Sequence, residues 1–169
     1  MLNNARTTPI TTATLIKIDG LNLLLPQGDI RSLELVNDMD IAAPALHSAG
    51  WISYANKHWP VYCLSHNLSL VDSVPTTRRA CAMLALGAGF IGILCDDMLV
   101  LKNIAAQPQP LPPAMHQPES PIHPATPIRY LVAYEQGIAC LTDASSLSLY
   151  VEQLVAKTST PRKTQNVRP

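Results

Sequence analysis

Short apolar runs separated by tight polar breaks dominate the chain. Thr12 to Ile18 is an apolar run ending at Asp19-Gly20, a pair suited to the positive φ angles of a two-residue hairpin turn. Leu21 to Leu25 supplies the partner strand, and Pro26-Gln27-Gly28-Asp29 breaks it. Ile30 to Val36 fits a strand, but Ile30, Leu33 and Val36 also share one helical face, so its period alone leaves both open. Residues 37–49 read as an irregular connection. Gly50 to Leu64 reads as strand, turn and strand, with Asn56-Lys57-His58 as the turn. His66 to Thr77 is a loop. Arg79 to Leu86 and Phe90 to Cys95 form a further hairpin about Gly87-Ala88-Gly89, and Met98 to Leu101 extends its second strand. Gly92 inside that strand predicts a bulge or a close backbone approach.

The pattern changes at residues 105–128. Eight of the chain's fifteen prolines fall between Pro108 and Pro127. Leu111, Met115, Ile122 and Ile128 punctuate this stretch, which points to a long ordered loop over the strands rather than a free linker. Tyr130 to Tyr134 and Ile138 to Leu141 make a last hairpin around Glu135-Gln136-Gly137. Thr142-Asp143 is a helix N-cap signal. Leu147, Tyr150, Val151 and Leu154 then recur at i, i+3, i+4 and i+7, one face of an amphipathic helix. Residues 1–11 and 157–169 show no periodicity and read as flexible tails, the second basic. The folded unit is therefore 12–156: four hairpins and one terminal helix, a mostly-β domain of the barrel or sandwich type.

Composition narrows the function. Twelve basic and twelve acidic residues give no net charge, which argues against a nucleic-acid binder working through the phosphate backbone. Arg78-Arg79 and the basic tail remain the places where RNA could touch. Cys63, Cys81, Cys95 and Cys140 lie far apart with no CxxC pair, and read as buried free thiols rather than disulfides. No signal peptide and no apolar run of about 20 residues is visible. These features indicate a cytoplasmic protein.

Candidate chemistry is sparse. Cys63 and His66 form a C-x-x-H pair, the minimum for a thiol nucleophile and its base, but no orienting carboxylate lies nearby. The histidines lack zinc-ligand spacing. Asp96-Asp97 has the form of a paired carboxylate for general-acid or Mg²⁺ work. We expect no catalytic residue, no metal and no cofactor. Trp51, Tyr54, Trp59 and Tyr62 place four of eight aromatics within twelve residues. Trp51 and Trp59 read as core packing and Tyr54 as an exposed tip residue.

Taken together, these segments resemble the CheW-like domain family. Gly50 to Leu64, GWISYANKHWPVYCL, aligns without a gap to the family's G-x-x-N-x-R-G-x-x-x-P-V-I-D-L, with Gly50, Pro60, Val61 and Leu64 at family positions. FIGILCDDMLVL (90–101), Pro110-Leu111-Pro112 and GIACLTDASSLSLYV (137–151) resemble later family segments in the same order. The resemblance implies two small five-stranded β-barrels packed around a shared apolar core, with a C-terminal amphipathic helix. It implies a non-enzymatic adaptor in chemotaxis or twitching motility, coupling a chemoreceptor tip to a histidine kinase regulatory domain, or binding another barrel of its kind. Partner contact is expected at the hairpin tip: Ser53, Tyr54, Ala55, Asn56 and Lys57. The family's arginine position is Ala55, its glycine is Asn56 and its aspartate is Cys63. These departures leave two alternatives: a degenerate barrel serving another complex without kinase contact, and a Cys63-dependent hydrolase.

Overall fold

A computed structural model describes residues 12–104, 107–116, 118–121 and 123–160. The expected N-terminal tail and the last nine residues of the C-terminal one lie outside the described residues. The strands are β1 (Thr12–Ile18), β2 (Leu21–Pro26), β3 (Ile30–Leu35), β4 (Gly50–Tyr54), β5 (Lys57–Tyr62), β6 (Ala80–Leu86), β7 (Gly89–Cys95), β8 (Asp97–Lys102), β9 (Gln109–Pro110), β10 (Tyr130–Tyr134) and β11 (Gly137–Leu141). The helix α1 spans Ala144–Ser159.

Two sheets form, one in the order β8-β1-β2-β11-β10-β9 and one in the order β3-β6-β7-β5-β4. The first is thus a five-stranded unit with the two-residue β9 added at its edge. Hairpin pairs are antiparallel, while β2–β11 and β5–β7 pair in parallel. The arrangement is an internal repeat. Central hairpin, single strand and outer hairpin run as β1-β2, β3, β4-β5, then again as β6-β7, β8, β10-β11. In each half the single strand and outer hairpin cross to the other half's sheet. Counted from the turns, Val61↔Gly92 in one sheet occupies the register of Leu141↔Leu24 in the other.

Three apolar clusters explain why β1, β2, β6 and β7 read as unbroken apolar runs rather than alternating ones. Ala13, Leu15, Leu24, Val132 and Ala139 fill the inside of the first sheet. Ile52, Val61, Cys63, Cys81, Met83 and Leu94 fill the inside of the second. The opposite faces of the same strands, through Ile16, Leu23, Ala82 and Ile93, meet in a shared core that α1 covers with Leu147, Tyr150, Val151 and Leu154. Each sheet therefore wraps a core of its own and shares a third.

Several local expectations resolve. Ile30–Leu35 is a strand paired with β6, its exposure alternating because successive side chains point to opposite faces of the sheet and one face is the better covered. Met98 to Leu101 does not extend β7. The chain turns at Asp96 and β8 pairs with β1 in the other sheet. Gly92 marks a close approach: a Cβ there would lie 2.5 Å from Cys81 Sγ and 2.9 Å from Val61 Cγ2. The helix runs past residue 156 to Ser159, so Lys157 is helical rather than part of the tail. Nothing in Ala156 to Ser159 stops a helix, and Lys157 favours its C-terminal turn. At its start Asp143 caps Ser146 N–H at 2.7 Å, and Asp29 accepts from Ala144 N–H at 2.8 Å.

Candidate functional site

The β4–β5 hairpin turns on two residues, Ala55 (φ 51°) and Asn56 (φ 60°). Two successive positive φ angles define the tight turn whose twist matches its strands. The turn expected at Asn56-Lys57-His58 thus lies one residue earlier. Lys57 and His58 belong to β5, paired with Tyr54 and Ser53. Asn tolerates this backbone, whereas Ala carries a steric cost there.

This register decides which aromatics face inward. Ile52 pairs with Trp59, and Trp51 with Pro60. Trp59 therefore shares the inner face with Val61, while Trp51 faces out and is not core. The outward indole is half-buried under the β3–β4 connection, donating from Nε1 to the Ala43 carbonyl at 3.0 Å. Trp59 lies at the mouth of the inner cluster with Tyr54 and Phe90. Both rings meet Phe90 edge to face, with centroids 4.9 Å and 5.3 Å away. Trp59 Nε1 donates to the Tyr54 carbonyl at 3.0 Å, and Lys57 Nζ stands 6.0 Å from the Trp59 ring. The tip is therefore a braced projection: Ser53, Ala55, Asn56 and Lys57 are exposed above an aromatic seat, and Tyr54 is half-buried within it.

A second surface escaped the sequence reading. The free edges of β3 and β8 flank a cleft of about 630 Å³ between the two sheets. Leu33 and Leu35 line it at 46% and 59% exposure, with Met98 across from them. Arg79 and Asp97 stand at its rim. Its signal was Leu33 and Leu35 alternating with polar residues in the ambiguous segment. That these two lie on the face shared with Ala82 and Ala80, beyond the core's reach, follows only from strand order.

Arg78 and the two aspartates have a structural task. Arg78 has a fully buried side chain. Its guanidinium forks onto Asp19 at 2.9 Å through both Nη atoms, reaches Asp96 Oδ1 at 2.5 Å, and donates to the Leu64 carbonyl at 2.7 Å. Asp96 also accepts from Asp19 N–H at 2.7 Å, and Asp97 from Met98 N–H at 2.9 Å. The cluster ties the β1–β2 turn, the β7–β8 crossing and the segment after β5 together. The Arg78 hydrogen bonds hold the Asp19 carboxyl below its ordinary range. Burial opposes the charge on Arg78, but the two carboxylates outweigh it and raise its pKa. Arg78 is therefore not available to RNA, because its side chain is fully buried and both Nη atoms are engaged inside the fold, with Nε enclosed there unpaired among the described residues.

Cys63 is 1% exposed inside the second sheet. Burial raises its thiol pKa, with Arg78 offsetting part of the effect. A nucleophilic thiol needs access and a depressed pKa, and Cys63 has neither. All four cysteines are free and buried. Among the described residues, no group of three His, Cys, Asp or Glu gathers where it could hold a metal ion. No helix among them is long and apolar enough to cross a membrane.

Two sheets that each enclose a core, share a third and are covered by one terminal helix define a CheW-like fold. The crystal structure of the scaffolding protein TtCheW from Thermoanaerobacter tengcongensis is similar, with a TM-score of 0.54 at 13% identity over 80% of this chain and 89% of that one. No family model and no curated protein sequence matches the chain.

Proposed function

We propose that this protein is a non-enzymatic adaptor of a chemosensory or twitching-motility system, joining a receptor tip to a histidine kinase regulatory domain. The observation that carries this reading is the β4–β5 tip, a rigid exposed projection on a fold similar to that of a scaffolding protein. Bracing by Phe90 and Trp59 limits the freedom the tip loses on docking, which favours affinity. An adaptor needs two separate surfaces. The tip lies at the β4 edge of its sheet and the apolar cleft at the β3 edge, so the two are at opposite ends of the strand order. We assign the tip to the kinase regulatory domain. The cleft takes an apolar helix face with charges matching Arg79 and Asp97.

Pull-down with a kinase regulatory domain and with a receptor tip tests this reading, and recovery of neither removes it. Ala55→Arg restores the charge that the family resemblance places at the tip. Stronger capture of either partner supports a weakened adaptor. Unchanged capture, with Leu33→Asp also without effect, supports the second reading, a barrel that serves another complex. That second reading draws on the uncharged Ala55 at the exposed turn of the projection.

A further inference from the structure

The inner face of the β4–β5 hairpin packs into the second core, and its outer face holds a pocket of its own. Trp51, Ser53, His58 and Pro60 share that outer face. Asp40, in the link that precedes β4, exchanges two backbone hydrogen bonds of 2.8 Å with Trp51. A pocket of about 340 Å³ opens there, lined by Asp40, Ala42, Trp51 and His58. Side-chain bonds hold its walls. Ala42 N–H donates to Asp40 Oδ1 at 2.8 Å, Trp51 Nε1 donates to the Ala43 carbonyl at 3.0 Å, and His58 Nδ1 lies 3.0 Å from Ser53 Oγ.

These bonds set what the pocket can hold. The Ala42 N–H and the Trp51 indole N–H are spent within the fold, which leaves neither for an anion. The acceptors are not spent. Asp40 Oδ2 makes no hydrogen bond with the described residues, and the half-buried indole carries an electron-rich face. Trp51 packs in none of the three apolar clusters, so core formation does not account for it. Local charge has one sign: residues 36–49 contain Asp38 and Asp40 and no lysine or arginine. Lys57 leans over Trp59 on the inner side and does not fill the pocket. Ile41, between two of the lining residues, is 72% exposed and gives the rim an apolar edge.

We propose that this pocket is a socket for an arginine side chain presented by a docking protein. The guanidinium lies against the Trp51 ring and donates to Asp40 Oδ2. Arginine suits both groups better than lysine, because its planar head stacks on an aromatic ring and carries forked donors. The inference rests on the docking role proposed for the β4–β5 hairpin and names the chemistry its partner brings. His58 adjoins the tip residue Lys57, so one partner surface reaches both tip and socket.

The test is an NMR titration of the full chain with acetyl-arginine amide, acetyl-lysine amide and the uncharged acetyl-citrulline amide. The chain has two tryptophans, so the Trp59 indole signal serves as an internal reference. The arginine compound shifts the Trp51 indole N–H saturably and leaves Trp59 in place, whereas citrulline moves neither. Asp40→Asn keeps an acceptor for Ala42, removes the charge, and weakens arginine binding about two- to fivefold. Trp51→Leu, followed on the His58 ring signals, weakens it by about the same factor. No saturable Trp51 shift, citrulline or lysine binding as tightly as arginine, Trp59 moving in step with Trp51, or an indifferent Asp40→Asn overturns the socket. The titration uses neither kinase nor receptor, so its failure strikes the socket alone, whereas an empty pull-down strikes the adaptor reading.

Discussion

Replacing Arg78 with methionine tests the idea that one buried guanidinium locks the two sheets together. Methionine keeps an unbranched apolar stem and removes every donor. Asp19, Asp96 and the Leu64 carbonyl then lose their shared partner. Removing one member of a buried ion pair costs about 3–5 kcal/mol. The aspartate side chains are 34% and 24% exposed, so both hydrate in part once freed. That reduces the charge contribution to about 2 kcal/mol. The orphaned carbonyl adds about 1 kcal/mol. A loss of about 3 kcal/mol corresponds to a fall of about 6–12 °C in Tm for a chain of this size. Urea unfolding at pH 7, followed by tryptophan fluorescence and circular dichroism, measures it, with exposed Arg79→Met as a control expected to stay within about 0.5 kcal/mol. The pH dependence has a definite sign. Asp19 has a folded pKa below its unfolded value, so its contribution is full above about pH 4 and fades as pH falls through the folded value. The gap between parent and variant should therefore narrow in acid. A loss under about 1 kcal/mol at pH 7, or a gap that holds constant down to pH 3, would refute the lock.

Three further outcomes follow from single positions. Ala55→Gly relieves a left-handed residue at φ 51° and should stabilise the fold by about 0.5–1 kcal/mol, read as a higher urea midpoint. Gly92→Ala drives a methyl against Cys81 and Val61 and should cost about 1–3 kcal/mol. An unchanged midpoint would mean the β5–β7 pair yields more easily than its packing suggests. Phe90→Ala removes both edge-to-face contacts at the tip. It should cost about 1–3 kcal/mol and shift Trp59 emission to the red, and a blue shift would contradict the seat.

Hairpins and helix were legible because their signals are local. Asp19-Gly20 and Glu135-Gln136-Gly137 specify turns, and Asp143 ahead of Leu147, Tyr150, Val151 and Leu154 specifies a capped, one-faced helix. The Gly50–Leu64 hairpin was legible as an element but not in register. Asn56 serves either as the first or the second turn residue, and one residue of shift exchanges the faces of Trp51 and Trp59. The Arg78 cluster was invisible, since its members come from positions 19, 78 and 96 and from the carbonyl of residue 64.

The chain by itself determines a mostly-β unit of short hairpins, one closing helix, four buried thiols and a polar tip near residue 55. Those follow from periods of two and 3.6 residues, from turn chemistry and from the cost of exposing apolar side chains. Only the tertiary structure decides which strands exchange sheets, and so that Met98 faces Leu33 across a cleft and that β8 leaves β7 at Asp96. The physical reason is that strands carry unsatisfied hydrogen-bonding groups on both edges, and any apolar strand can satisfy another. Choice among partners rests on the summed packing of three cores, which no local window contains.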